Sequence, residues 1–182
     1  MSLVSKVFRP LDKLSDLFFA IGDAIHAAGL GVSVANYEEW DGYVGDATVL
    51  IELERTSTSE RQNDGRYAHN VSVTLHAVVA RSRKFAALEA ANLATCLERL
   101  TDLNRWGFRG LNCEVPCDLH SGPSMFQKGD DGYDAWGVTF RQVITPGLPI
   151  EEPRITGMPL VSWRLDDDSP RTEADFVPLE GA

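Results

Sequence analysis

The residues with the clearest chemical potential are two cysteines and a histidine in the second half of the chain. Cys113, Cys117 and His120 follow the spacing C-x3-C-x2-H, which is close to that of zinc ligands. A thiol and an imidazole that meet in space are also the nucleophile and base of thiol enzymes. If residues 112–118 form a strand, the two cysteines share a face but lie about 13 Å apart along it. One metal ion would reach both only if the chain bends at Pro116.

The alternative for this cluster is an ordinary structural role. A zinc site needs a fourth ligand, and the candidates are Asp118 and the distant His69. For thiol catalysis, His69 and His76 lie on a candidate neighbouring strand, but their separation places them on opposite faces. The chain contains no phosphate-binding glycine loop and no nucleophile elbow. The structural interpretation is favoured, and a small metal- or thiol-dependent enzyme that uses Cys113, Cys117 and His120 stays the alternative.

Length and composition indicate an ordinary globular chain. Its 182 residues are 43% hydrophobic, with a mean hydropathy of -0.17, so a core can form without disulfides. The net charge of -10 weighs against a surface that binds nucleic acid by neutralising phosphates. It is compatible with a wall along which nucleic acid slides without adhering. Three cysteines indicate a reducing compartment, and we expect neither a secretory signal nor a membrane span.

Periodicity predicts two helices. Residues 10–28 place apolar side chains three and four positions apart, with Pro10 in the first turn and Gly29 after the last. Residues 84–103 return to the same period and are rich in alanine, which favours a helix that packs closely on a sheet. The expected apolar face of this second helix consists of Phe85, Leu88, Ala91, Leu93, Cys96, Leu97 and Leu100.

Alternation of apolar and polar residues predicts the strands. Residues 31–36, 46–56, 67–80 and 132–145 read as strands, and a short edge strand is expected at 111–120. The segment "STSERQNDGR" between the second and third is expected to be a polar turn region, with Asp64-Gly65 as its hairpin signal. This order predicts an α+β fold, with two helices packed on one face of a mostly antiparallel sheet.

The character of the chain changes near Pro146. From there the sequence carries eight acidic residues, three arginines and several prolines. We predict a domain at residues 1–146 and an extended acidic C-terminal tail at 147–182. Exposed aromatic residues suit contacts between subunits, and the alternative is packing within one subunit. The expected oligomer contacts are Trp40, Tyr43, Trp163 and Phe176.

Three segments together resemble a known family. They are "TVLIELERTSTSERQNDGRYAHNVSVTLHAVVARSRKFAALEAANLATCLERL", then "NRWGF", then "DGYDAWGVTFRQVI". In element order and texture, over about residues 10–146, they resemble the tail terminator, or tail completion, proteins of long-tailed phages and prophages. The resemblance implies a structural virion protein that forms a homohexameric ring on the tail-tube protein and joins it to the head–tail connector. DNA would pass through the lumen without specific binding.

The same resemblance implies the site and the location of the protein. It implies no catalytic residue, no metal and no cofactor, no membrane, residence in the virion tail, and host cytoplasm during assembly. The polar hairpin would face the tube or the lumen, through Ser57, Ser59, Glu60, Arg61, Asn63, Asp64 and Arg66. Two alternatives stay open besides the enzyme. One is another neck or minor tail protein of a virion, and the other is a host α+β ligand-binding domain with a deep pocket.

Overall fold

The computed structural model describes residues 8–62, 64–129, 132–148, 160–161 and 176–178. The chain divides into two compact units, Met1–Ile150 and Glu151–Ala182. The described residues of the first unit form two helices and five strands. They are α1 (Leu14–Ala27), β1 (Ser33–Asn36), β2 (Ala47–Arg61), β3 (Tyr67–Ala80), α2 (Ala86–Thr101), β4 (Cys117–Gln127) and β5 (Tyr133–Ile144). In the second unit, the described residues include two short strands, β6 (Leu160–Val161) and β7 (Val177–Pro178), which pair antiparallel.

The five strands of the first unit form one sheet in the order β1-β2-β3-β5-β4. β1 runs parallel to β2, and every other pair is antiparallel. Side chains from α1, α2 and one face of the sheet belong to the same main core cluster, so both helices lie on the same face. The predicted α+β class with a mostly antiparallel sheet is therefore confirmed. Fully buried core side chains include Leu17, Ile21, Ile25, Val49, Ile51, Val73, Leu75, Leu97, Val138 and Phe140.

The first helix is shorter than its sequence pattern. It begins at Leu14 instead of near Pro10, because the carboxylate of Asp16 accepts hydrogen bonds from the backbone N–H groups of Asp12 and Lys13. These bonds satisfy donors that the first turn leaves unpaired, and they lower the pKa of Asp16. The helix ends as expected, because Gly29 takes the left-handed conformation (φ 64°) that glycine adopts without strain.

The second helix buries a different face from the one expected. Phe85, Leu88 and Cys96 are exposed, and the buried residues are Ala86, Ala90, Ala94, Leu97 and Thr101. The prediction was wrong for Phe85, Leu88 and Cys96, because it followed the large apolar residues, whereas Leu97 of the predicted face is buried and Leu93 and Leu100 pack against the core. Small side chains at four-residue intervals bring the helix axis close to the sheet, where β3 and β5 already supply the bulk.

Two strand boundaries also differ from expectation. β2 continues to Arg61, through much of the segment that was predicted as a turn, and the edge strand β4 starts at Cys117 instead of near Leu111. Cys113 makes only an isolated bridge to Ile144. The expected edge position is confirmed, because β4 lies at the edge of the sheet, but Pro116, on which the expectation rested, lies just before the strand and not within it.

Candidate functional site

The β2–β3 hairpin forms a long projection from the sheet. Pairing continues to Arg61 opposite Tyr67, and beyond it the N–H groups of Gln62 and Gly65 donate hydrogen bonds to the carbonyls of Arg66 and Gln62, with Gly65 at φ 82°. β1 covers the outer side of β2 only from Thr48 to Ile51. In the described part of the chain, no strand pairs with that side of residues 53–60, which we call the outer edge of β2. Register shifts near residues 53–55 and 58–61 accompany this edge, and such irregularities discourage indiscriminate strand pairing.

Arg66 fixes the base of the hairpin turn. Its guanidinium forms a salt bridge with Asp64 (2.7 Å) and donates hydrogen bonds to the backbone carbonyls of Leu111, Thr145 and Gly147. The hydrogen bond from Arg66 also lowers the pKa of the Asp64 carboxyl. Because this pKa lies below the ordinary value of 3.8, the ion pair stabilises the fold above that pH. Its contribution is lost as the pH falls through the lowered pKa.

We expect Arg66→Ala to destabilise the subunit by roughly 2–4 kcal/mol, because three carbonyls and one carboxylate lose a buried partner at once. Arg66→Lys should restore little of this loss, since one ammonium cannot reproduce the fork of the guanidinium. The exposed Arg55 on the same hairpin is the matched control, and Arg55→Ala should change stability by about 0.5 kcal/mol or less. Urea unfolding of the three variants measures this, and equal midpoints for the two alanine variants would contradict it.

The remaining hairpin residues divide by exposure. Ser57 and Glu60 are exposed and Ser59 is half-buried, all in strand β2. Arg61 belongs to the same strand, and Asn63 lies outside the described residues. The residues that we predicted to contact a partner thus lie on the edge of a strand. Asp64 and Arg66 differ from them, because their salt bridge holds the hairpin, and therefore that edge, in position. Binding of a partner there stays a prediction.

The aromatic residues predicted as oligomer contacts differ in their surroundings. Trp40 packs edge-on against Tyr133, with ring centroids 5.0 Å apart, and donates a hydrogen bond to the Tyr43 carbonyl. It belongs to a small cluster with Leu50 and Val78. The side chain of Tyr43 is 76% exposed and that of Phe176 is 38% exposed. Trp163 lies outside the described residues.

The structure does not assemble the cysteine–histidine cluster into a metal site. Among the described residues, no three His, Cys, Asp or Glu side chains are grouped to hold an ion. Cys113 is buried, and Gln142 donates a hydrogen bond to its sulfur (3.1 Å). Cys117 receives a hydrogen bond from Arg141, and the Nδ1 atom of His120 lies 2.8 Å from the carbonyl of Asp118. Each residue therefore contacts its own local partners.

Cys113 should be chemically inert in the folded protein. Burial raises the pKa of its thiol to about 12 from 9.0, so the reactive thiolate is scarce at neutral pH. Cys96 is exposed and serves as the internal control. We expect iodoacetamide to modify Cys113 at least about a hundredfold more slowly than Cys96 in the native protein, with the difference abolished in urea. Mass spectrometry of the labelled peptides measures both rates, and equal native rates would show that Cys113 is accessible and reactive.

The structure also contains a polar cluster that the sequence did not reveal. His76 is 7% exposed and lies on the face of the sheet opposite the helices, where its ring stacks on Tyr37 at 4.9 Å. Its Nε2 atom is 2.8 Å from a carboxylate oxygen of Glu52, and its Nδ1 atom is 3.1 Å from the hydroxyl of Ser124. Gly137 separates His76 from Ser124 on the intervening strand, and its missing side chain leaves room for this contact.

A serine, a histidine and a carboxylate in hydrogen-bonded series are able to move a proton. Acyl transfer requires more, namely fixed donors for the developing oxyanion and a cleft that holds the substrate. Beside the cluster, the hydroxyl of Thr74 donates a hydrogen bond to the carboxylate of Glu54 (2.5 Å). The same hydroxyl also lies within hydrogen-bond distance of the hydroxyl of Thr139 (2.6 Å). We interpret both groups as a layer of satisfied polar side chains that stiffens this face of the sheet. The alternation of polar residues along the strands predicted that this face of the sheet is polar. It did not predict which residues form hydrogen bonds, because the partners come from four separate strands.

Comparison with known proteins adds no relative. No protein-family model matches the chain, and no curated protein matches it at a significant level. Within the part of the chain that the structure describes, neither helix has the length and apolar character needed to cross a membrane.

Proposed function

We propose that this chain is a structural subunit of a long-tailed phage or prophage, which caps the tail tube as a hexameric ring and joins it to the head–tail connector. The observation that carries the proposal is the outer edge of β2. It is a long, polar strand edge, at the end of a hairpin whose base is held by Arg66, and no strand among the described residues pairs with it. Such an edge offers backbone donors and acceptors to another chain, and a protein that leaves one exposed has a use for it or must protect it.

The fold supports the proposal through the segments that carry the family resemblance. The first unit has the element order helix, three strands with the last two forming the long hairpin, helix, two strands. "NRWGF" and "WGVTFRQ" meet in the core, where the Trp106 indole donates a hydrogen bond to Gln142 (2.9 Å). The residues that carry the resemblance therefore stabilise the subunit. This is expected of a family whose members have a structural role and no catalytic site.

Charge supports the same proposal. The net charge of -10 disfavours adhesion of DNA phosphates, which is the property required of a conduit. Such a wall would permit DNA to slide through a lumen.

Mass in solution, measured alone and with the tail-tube protein encoded in the same genome, tests this proposal. Light scattering of the free chain should find a species of about 120 kDa, close to six copies of the 20.0 kDa chain. A ring that closes only on the tube should instead be found bound to tubes. A chain that stays near 20.0 kDa across a concentration series, and does not bind tubes, would reject it. A folded dimer with a small-molecule ligand would favour the host ligand-binding alternative instead. Another neck or minor tail protein would bind virion components without stopping tube growth.

A second candidate function is a hydrolase that uses Ser124, because the Ser124–His76–Glu52 hydrogen bonds form a proton relay. A serine-directed fluorophosphonate probe separates the two. Labelling that disappears in Ser124→Ala, but persists in the control Ser121→Ala on the same strand, would favour the enzyme. The capping proposal expects no labelling of either serine. Zinc analysis with Cys113→Ser tests the metal alternative in the same way.

A further inference from the structure

An apolar cavity opens on the surface beside α1. It has a volume of about 470 Å³, and its lining includes Phe18 and Phe19 of α1 and Leu53 of β2. A second cavity of about 570 Å³ shares Phe18, Phe19, Asn36 and Glu39 with the first, and we call the two together the α1 groove. The side chain of Phe19 is 62% exposed, so this apolar lining is accessible to a side chain of another molecule.

The rim of the α1 groove is negatively charged. Glu38 and Glu39 line the first cavity, and Glu39 also lines the second. Both residues are exposed, and neither forms a salt bridge with any residue that the structure describes. An occupant that complements the groove should therefore combine an aromatic or aliphatic side chain for the lining with a cation for the rim.

The start of α2 displays this combination. Phe85 is the N-cap residue of α2, and its side chain is 67% exposed. The Lys84 ammonium lies 5.0 Å from the centre of the Phe85 ring, and the exposed Leu88 follows about one helical turn later. The segment therefore presents an aromatic ring, a second apolar side chain and a positive charge at one place on the surface.

The backbone of Phe85 is an independent sign that its side chain has a role outside the subunit. Phe85 has the left-handed conformation (φ 65°, ψ 39°), which is unfavourable for a bulky residue and which glycine adopts without strain. Its side chain forms no capping hydrogen bond. Strain of this kind is typical of residues with a function. The fold thus displays an exposed phenylalanine where glycine would be more stable.

We propose that Phe85 of one copy of this chain inserts into the α1 groove of a second copy, with Lys84 against Glu38 and Glu39 of that second copy. The two surfaces lie on different helices, since α1 packs on β1 and β2 whereas α2 packs on β3, β4 and β5. A copy that receives Phe85 in its groove therefore still presents its own Phe85 to a third copy. Such a head-to-tail contact repeats, and it forms a ring if the rotation between copies closes. The contact itself is independent of the capping function, and only its closure into a hexamer rests on the proposed function.

Two variants and their mixture test the contact. Phe85→Gly removes the ring, and Phe19→Glu adds a carboxylate to the α1 groove. Light scattering across a concentration series should show that the unmodified chain associates and that each variant has a dissociation constant about a hundredfold higher. The mixture should form pairs of about 40 kDa, two copies of the 20.0 kDa chain, because Phe85 of one variant fits the intact groove of the other.

Either of two results would overturn the proposal. The first is an unmodified chain that stays near 20.0 kDa up to about 1 mM. The second is a Phe85→Gly variant that associates as the unmodified chain does. Association of each variant alone into pairs, without the need for the mixture, would likewise show that the copies meet through other surfaces.

Leu103→Gly is the matched control for the loss of strain. Leu103 lies just beyond the other end of α2, is 69% exposed and also has a left-handed backbone (φ 55°). Both glycine variants should leave Tm unchanged or raise it by about 2–4 °C, because both relieve the same kind of strain. Only Phe85→Gly should lose association, and equal loss in the two variants would contradict the contact.

Charge reversal tests the pairing of the two surfaces. Lys84→Glu should raise the dissociation constant about tenfold, and Glu38→Lys/Glu39→Lys in the same chain should restore it. Absence of this rescue would overturn the proposed pairing. Failure of the contact is distinguishable from failure of the capping function. Rings of Phe85→Gly that still cap tubes would contradict only the contact, whereas association without tube capping would contradict only the capping function.

Discussion

Substitution of the exposed hairpin positions should abolish capping while the subunit stays folded. In the double variant Ser57→Glu/Glu60→Arg, two exposed side chains of β2 change charge without loss of a described hydrogen bond. Because the outer edge of β2 is the proposed contact, we expect its affinity for tail tubes to fall by about a hundredfold, the loss seen when central interface residues are altered. Sedimentation of the variant with tubes measures the affinity, and thermal unfolding checks the fold.

The matched control makes the same change in charge elsewhere. Asn92→Glu/Asp102→Arg alters two exposed side chains, one on α2 and one at its C-cap. It should bind tubes as the unmodified protein does. If both double variants bind tail tubes with equal affinity, the hairpin is not part of the contact with the tube. Substitution is preferable to deletion of residues 57–65, because these residues pair with β3 and include Asp64, which anchors Arg66.

Replacement of Gln142 by leucine should cause a large loss of stability. Gln142 is fully buried, accepts a hydrogen bond from the Trp106 indole (2.9 Å) and donates to the carbonyl of Glu114 (2.5 Å). Leucine keeps the volume but leaves the buried indole N–H of Trp106 and the partly buried carbonyl of Glu114 without these partners. We expect a loss of roughly 3 kcal/mol, equivalent to about 6–12 °C in Tm for a chain of this size. Gln127→Leu, at an exposed end of β4, should change Tm by about 2 °C or less.

A double-mutant cycle isolates the Trp106–Gln142 hydrogen bond from general packing. Trp106→Phe removes the indole N–H and should cost less in the Gln142→Leu background than alone. We expect a coupling energy of about 1–2 kcal/mol. Additive effects within about 0.3 kcal/mol would show that the two side chains contribute independently. That result would mean that the hydrogen bond does not stabilise the junction between the two resemblance segments.

The parts of the fold that sequence patterns predicted are those that face a common core. β3 and β5 alternate apolar and polar residues because one face of each packs on the helices. The distal half of β2 was not predicted as a strand, because its residues are polar on both faces and so show no alternation with apolar residues. The full extent of β4 was not predicted, because the Gly and Pro in "CDLHSGPSMFQ" are typical of loops. In this strand they are tolerated because β4 lies at the edge of the sheet.

The candidate site was predictable only in outline. The polar composition of the hairpin indicated a surface, but the role of Arg66 depends on carbonyls 45 to 81 residues away along the chain. His76 was expected on the polar face, yet its partners Glu52 and Ser124 come from strands 24 and 48 residues distant. Cross-strand registers decide such contacts, and one residue of slippage would separate them.

The central claim is that the chain stops growth of the tail tube, and tube length in a polymerisation mixture tests it most directly. Tail-tube protein from the same genome is allowed to polymerise with and without the purified chain, and lengths are measured by negative-stain electron microscopy. We expect shorter tubes that carry a ring at one end and no longer elongate when fresh tube protein is added. Tubes of unchanged length with bare ends, at a concentration of the chain above that of tube ends, would contradict the claim.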